Sequence, residues 1–539
     1  MMKKLRFPLI LVFLIFLPFS FSGYINKDFE LSKNLDIYHT LMRELNVFYV
    51  DETDPGELVK NSIDNMLARL DPYTVYIPES RMEDLELLTT GEYGGVGALI
   101  RQRHNDAMIT NPYEGFPAHK AGLRAGDLIR KIDGHSVSGL KSTQIGELMK
   151  GQVGTSLSIQ VFRPHEEKEI KVEMVREKIR INNVPFYEII DEQTGYIRLS
   201  GFTQGAAREV LDAFTEMKEE GISQLILDLR SNPGGLLVEA VDIMNIFVPQ
   251  NEEIVKTIGK VKQWNHSYYC KREAIDTLIP VAVLINSKSA SAAEIVAGAM
   301  QDLDRGMVIG QRSFGKGLVQ TTRNLSYNSK LKITTAKYYI PSGRCIQALD
   351  YSHRREDGSV GKIPDSLISE FKTKNGRVVY DGGGIAPDLV METRILSKLT
   401  TAMLYQDKFF DFATMVRNTR DELDKPSDFV LSEEDYSEFV GQLERDSFRY
   451  ETGSEKKLEE LIRIVKREKY DDVAGEKLKE LQELLKNDVK KDVEAFDEEI
   501  RSLLSEEILS RYYFQKGRIA FMIRKDPSVL KAIEELKDR

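Results

Sequence analysis

Between Ile179 and about Val390, short apolar runs alternate with stretches of helical period, and this alternation limits the fold more than any other feature of the chain. Strands are expected at Gln224 to Leu229, Val281 to Ile285, Met307 to Gly310 and Leu318 to Asn324. Helices are expected at Leu236 to Phe247 and Ser291 to Gln301. The expected core, over 179–392, is therefore α/β.

A chain of 539 residues with 41% hydrophobic content exceeds what one core organises, so further domains are expected. Residues 23–85 carry a helical pattern, with Leu41, Leu45 and Phe48, then Ile63, Met66 and Leu70, spaced along one face. Residues 86–178 change character: Gly94, Gly95 and Gly97 open a β-rich stretch, and Gly122 to Gly134 is turn-rich. Residues 393–539 are rich in Lys and Glu, with amphipathic helical spacing at Leu458, Leu461, Ile462 and Val465 and again at Leu478, Leu481 and Leu484. An appendage with one solvated face is the expectation there, with a partner or homo-oligomer surface as the sharper alternative.

At the amino terminus Lys3, Lys4 and Arg6 precede an uncharged run from Phe7 to Asn26, the pattern of an export leader. Ser20 and Ser22 suit signal peptidase, which gives a signal peptide over 1–22. An uncleaved membrane anchor is the rival, although the apolar part is shorter than the ~20 residues of a spanning helix. Either way the body is exported, to the periplasm or the outer face of the cytoplasmic membrane of a bacterium. A net charge of −10 argues against nucleic acid as a partner. Cys270 and Cys345 are too few for a disulfide scaffold or a paired-cysteine zinc site, and a single bridge between them stays open.

Ser291 falls where the strand Val281 to Ile285, after the turn Asn286 to Ala290, enters a helix. There a hydroxyl is exposed, and the free amides of the helix start face whatever it attacks. The same position suits an ordinary N-cap serine. None of the seven histidines adjoins a G-x-S-x-G elbow, which the chain lacks, and all read as solvated or structural, His266 in the core being the least unlikely base. Lys316, in Ser313-Phe314-Gly315-Lys316-Gly317, is the alternative base. A free lysine is charged at neutral pH, so it needs a largely dry pocket, for which Phe314 and Leu318 could form walls. Gly310 to Lys316 imitates a P-loop, but Gly317 and a strand follow where Ser or Thr and a helix are required, so nucleotide binding is rejected. A third element, Asp228-Leu229-Arg230-Ser231-Asn232-Pro233-Gly234-Gly235, ends a strand in a glycine turn. An amide of Gly234 or Gly235 could serve an oxyanion, and a simple tight connection fits the turn equally well.

Together these residues resemble the carboxyl-terminal processing, or tail-specific, serine peptidases, from about Asp36 to Asp388. Arg69-Leu70-Asp71-Pro72 with Tyr73 and Thr74 resembles the family's Leu-Asp-Pro motif, and Tyr93 to Gly97 with Gly122 to Gly134 its PDZ domain. Ser287 to Ala299 resembles the nucleophile segment, Phe314 to Gln320 the base segment, and Tyr339 to Gly343 with Gly383 to Asp388 later signatures. Ala293 departs from the serine often found there and removes no required group. The resemblance implies a crotonase-like α/β peptidase core with an inserted PDZ domain, and no cofactor or metal. It implies Ser291 as nucleophile, Lys316 as base, Gln320 orienting the lysine, and Ala292 with Gly234 or Gly235 binding the oxyanion. Gly94, Gly95, Val96 and Gly97 would hold a tail's carboxylate as the peptide adds a strand. The implied partner is a protein with an exposed carboxyl-terminal tail. A peptide-binding scaffold without turnover and a small-molecule acyl hydrolase are the competing readings. The triple of Ser291, Lys316 and Gln320 argues against the first, and the PDZ-like insertion against the second.

Overall fold

The computed structural model describes residues 22–393, 395–485 and 488–537, so the leader through residue 21 lies outside the described residues. Among those described, no helix is long and apolar enough to cross a membrane. The chain divides into two compact units, one of residues up to Glu79 with Gln320–Thr334, the other of Ser80–Val319 with the chain from Thr335 onward.

In the first unit, helices Ser22–Phe48 and Pro55–Ala68 lead to a short strand, Val75–Ile77, which pairs antiparallel with residues 330–332. Asp54 caps the second helix by accepting from the N–H groups of Gly56 and Glu57, with Pro55 at the first helical position.

The second unit opens with an antiparallel sheet in the order β1 (Ala98–Arg103), β2 (Asp106–Pro112), β3 (Leu128–Ile132), β4 (Ser156–Arg163), β5 (Lys168–Val175), with helix α1 (Ser142–Met149) packed near β1. The chain enters and leaves this domain through a two-stranded ribbon, Glu92–Gly95 against Glu177–Arg180. An insertion can therefore fold apart from the segments that flank it.

The core sheet follows chain order: β6 (Phe186–Ile189), β7 (Thr194–Arg198), β8 (Gln224–Asp228), β9 (Val281–Ile285), β10 (Met307–Gly310) and β11 (Leu389–Val390). Only β6 runs antiparallel. Strands β8, β9 and β10 are buried throughout, which explains their lack of polar alternation. Leu225, Leu227, Val283 and Val308 face helices α2 (Ala206–Glu219), α3 (Leu237–Phe247) and α4 (Ala292–Asp302). On the other face Ile226, Ala282, Leu284 and Ile309 pack against Ile523, Val529, Ala532 and Leu536.

Those last residues come from the carboxyl-terminal region, where α5 (Lys408–Thr419) packs on the long α6 (Asp497–Ile523) and α7 (Pro527–Lys537) follows. The region is thus not only an appendage, because α7 closes the second face of the core sheet. The helix Gly453–Arg467 does present a solvated face, with only Leu458 buried.

Candidate active site

Strands β8 and β9 are neighbours, so the turns that leave them lie side by side and are stitched together. Asn286 accepts from the Ser231 N–H (2.8 Å), the Ala290 N–H donates to the Asn232 carbonyl (2.9 Å), and the Ser289 hydroxyl donates to the Leu229 carbonyl (2.8 Å). Ser291 emerges from this pair of turns at φ 57°, ψ −115°. A β-carbon makes that conformation costly, by about 1–3 kcal/mol, and strain of this kind gathers at functional sites. An ordinary N-cap residue instead has extended backbone at negative φ, so Ser291 is not simply a cap.

Gly234 lies directly against the serine. A β-carbon on it would come within 2.6 Å of the Ala290 carbonyl oxygen and 2.8 Å of both Ser291 Cβ and the Ala292 nitrogen, and its φ is +92°. Its N–H is already used, donating to Oδ1 of the buried Asn232 (2.8 Å), whose Nδ2 donates to the Leu199 carbonyl. Of the two glycines read as oxyanion donors, Gly234 is therefore corrected to a packing position, and Gly235 keeps its N–H. Among the described residues neither the Gly235 N–H nor the Ala292 N–H makes a hydrogen bond within the protein, and the second stands at the positive end of α4.

Lys316 lies in the loop after β10 and is half-buried. Gly315 on one side has φ +86° and approaches Ala348 so closely that a β-carbon would lie 2.4 Å from that side chain. Gly317 on the other donates to Gln347 Oε1 (2.8 Å). Leu318 is buried, whereas Phe314 is 47% exposed, its main-chain N–H donating to the Ser289 carbonyl (3.0 Å). The two halves meet at Glu294, on the first turn of α4. Its Oε2 accepts from the N–H of Ser291 (2.8 Å) and of Lys316 (2.9 Å), while Oε1 accepts from the Gly315 N–H (2.7 Å) and the Ser313 hydroxyl. Burial pushes this carboxyl up, against the pull of its four donors. Tyr338 closes the floor, its buried hydroxyl donating to the Ser291 carbonyl (3.2 Å). Neither Glu294 nor Tyr338 was singled out from the sequence. A Glu three residues into a helix is an everyday capping residue, and nothing local to Tyr338 points to Ser291.

Gln320 belongs to the other unit, where its amide nitrogen donates to Thr334 Oγ1 (3.1 Å). The Thr334 N–H donates to Thr74 Oγ1 (3.2 Å), and Thr74 is held by Asp71 through its N–H and hydroxyl. The Asp71 to Thr74 motif thus holds the strand Lys330–Tyr339, which pairs with the strand that carries Gln320. All seven histidines, including His266, are exposed. Gly310 to Lys316 leads into the strand Leu318–Asn324, not a helix. Cys270 and Cys345 are free thiols, and burial pushes Cys270 up to about 12.

In the inserted domain Gly94 to Gly97 lead into β1, whose outer edge is unpaired among the described residues. A β-carbon on Gly94 would lie 2.2 Å from the Gly151 carbonyl oxygen and one on Gly97 2.6 Å from Phe116 Cβ, so close approach requires glycine at both. Gly95 pairs in the entry ribbon. The carbonyls of Val96 and Gly97 accept from Ala118 and Tyr113, while their N–H groups make no hydrogen bond among the described residues. The groove beside β1 is floored by Ile100 opposite Gly146 of α1.

Three family models match the chain: peptidase family S41 over 193–352, the PDZ domain over 94–174, and a probable PDZ-protease, C-terminal helical domain over 399–536. A carboxy-terminal-processing protease of Bartonella bacilliformis is 34% identical over 349 residues, covering 64% of this chain and 77% of that protein. A probable CtpA-like serine protease of Staphylococcus aureus is 34% identical over 335 residues, covering 62% of this chain and 66% of that one. Among solved structures, the photosystem II D1 C-terminal processing protease is 28% identical, covers 66% of this chain and 88% of its own, and has a TM-score of 0.37.

Proposed function

The chain belongs to peptidase family S41, the carboxy-terminal-processing serine proteases, and from that premise we propose that Ser291 is its nucleophile and Lys316 its general base. The observation that carries this reading is the strained Ser291 packed against Gly234, with the N–H groups of its neighbours Ala292 and Gly235 making no hydrogen bond among the described residues. A main-chain donor left free in this way can meet a developing oxyanion with little reorganisation, and one such donor contributes about 3–4 kcal/mol.

In this mechanism neutral Lys316 Nζ takes the proton of Ser291 Oγ as the oxygen adds to the scissile carbonyl. The tetrahedral oxyanion is held by Ala292 and Gly235. Lys316 then gives the proton to the departing amine, and water, activated by the same lysine, releases the acyl group. Gln320, four residues after the base, is assigned to orient it, its own nitrogen already fixed by Thr334. The substrate's tail adds as a strand to the free edge of β1, its terminal carboxylate met by the N–H groups of Val96 and Gly97. The leader directs the protein outside the cytoplasm or anchors it there, and the helical region offers a surface for self-association.

Ser291→Ala and Lys316→Ala are each expected to lower cleavage of an unstructured protein tail by at least about 1,000-fold while leaving thermal unfolding in place. Mass spectrometry of new carboxyl termini is the measurement, and full activity in either variant overturns the assignment.

A further inference from the structure

Glu294 belongs to neither half of the pair, yet both halves hang from it. Its side chain is fully buried, and its four hydrogen bonds come from two stretches well separated in sequence, the start of α4 and the loop 313–316. That loop is fixed in turn to a third segment, because the Ile385 N–H donates to the Ser313 hydroxyl (2.6 Å) and the Ser313 N–H donates to the Ile385 carbonyl (3.0 Å). We propose that Glu294 is the positioning residue of the dyad, setting nucleophile against base by holding both main chains on one carboxylate oxygen. This rests on the assignment of Ser291 and Lys316 made above.

The chemistry of the donors explains why a carboxylate is needed. Three of the four are main-chain N–H groups, which can only donate, and each oxygen has at least one of them. A glutamine in the same place sets its NH2 against an N–H whichever way the amide turns, leaving a buried donor unsatisfied. With its oxygen toward Ser291 and Lys316 it loses Gly315. Turned over, it loses both catalytic N–H groups. An aspartate keeps the charge but is one methylene short and cannot reach from α4 to the loop. The Ser291 conformation adds to the demand, since a main chain held at φ 57° needs a partner for its N–H to stay there.

Glu294→Gln, Glu294→Asp and Glu294→Ala are compared with wild type on a small activated ester, with the thermal midpoint of each variant measured in parallel. The expected result is a fall in kcat of about tenfold to a hundredfold for Gln, more for Asp and Ala, with KM changed less than about twofold. The kcat losses are expected to be unrelated to the losses in thermal midpoint. A purely structural role would make the two run together, and that outcome, or wild-type kcat in Gln or Asp, overturns the proposal. Asp, which keeps the charge, provides the test if Gln does not fold. Activity in Lys316→Ala would instead remove the dyad itself, so the two failures are distinguishable.

Discussion

Asp228 is a carboxylate with no exposed surface at the end of β8. It accepts from the Tyr196 hydroxyl, from Arg198, and from the Arg230 side chain and N–H, at 2.6 to 3.0 Å. Burial pushes the carboxyl up, but Arg230 and Arg198 more than reverse this and hold it well below the usual carboxylate range. A carboxyl depressed in the folded state contributes stability above its unfolded value of about 3.9, and loses it as the pH falls toward the folded one. Asp228→Asn takes the carboxylate from two part-buried guanidinium groups, of which Arg230 keeps Asp526, so the core is expected to lose about 3 kcal/mol of stability at neutral pH. The gap to wild type narrows below about pH 4, where the unfolded chain is protonated and wild type loses its advantage. Urea titrations across pH check this, and a gap independent of pH would mean that Asp228 is not ionised in the fold. At the same scale, the legible residues were those whose chain position carries the signal. Ser291 stands at a strand-to-helix corner, and Lys316 sits between two glycines. The choice between Gly234 and Gly235 was not legible, because it depends on a side chain, Asn232, turning back to take one N–H and leave the other.

Elements were legible as apolar or β-rich runs, both where burial is complete, as at Val281–Ile285 and Met307–Gly310, and in the mostly exposed strand Leu318–Asn324. The expected strands Val281 to Ile285, Met307 to Gly310 and Leu318 to Asn324 match the observed spans, and the expected helices at Leu236 and Ser291 begin one residue early. Both discrepancies fall at caps, where the flanking residue has non-helical backbone. The placement of α7 was not legible. Its period shows that one face is apolar but not what covers that face, and the answer is a sheet that begins more than three hundred residues earlier in the chain. The consequence is testable. Leu536 is 2% exposed against the core sheet, so Leu536→Ala is expected to destabilise the α/β core by about 2–5 kcal/mol, from lost burial and the cavity left behind. Its kcat per folded molecule is expected to stay at the wild-type value, because α7 packs on the face of the sheet away from α4. A Leu536→Ala protein that unfolds at the wild-type midpoint would show that α7 is dispensable to the core.

Across the molecule, the strand whose free edge is proposed to receive a tail is also the strand that seats its domain. Along β1, Ile100 faces α1, while Arg101 and Arg103 point the other way toward α5. Arg103 grips Asp411 through both nitrogens (2.7 Å each). Arg101 reaches Asp407 (2.5 Å), with its guanidinium 5.0 Å from the Phe410 ring centre. These contacts border a cavity of about 900 Å3, which Arg198 and Arg230 of the core also line. Arg230, four residues before Gly234, is held by Asp526 (2.6 Å), which immediately precedes α7. The helical region therefore touches both β1 and the turn that leads to Gly234 beside Ser291. No local pattern announces this, because the paired residues lie 306 and 308 positions apart. The Arg103–Asp411 pair is about a quarter exposed, so its contribution is that of a well-aligned but partly screened pair, about 1 kcal/mol. Arg103→Ala and Asp411→Ala are each expected to speed cleavage of the ribbon at 92–95 and 177–180 about fivefold, using a protease that does not cut after arginine. The double variant is expected to go no faster than either single one, since the second change removes a partner already lost. Multiplied rates in the double variant would mean that the two residues act separately, and that the domain is seated by Arg101 and the packing of Gly126 against Thr414 instead.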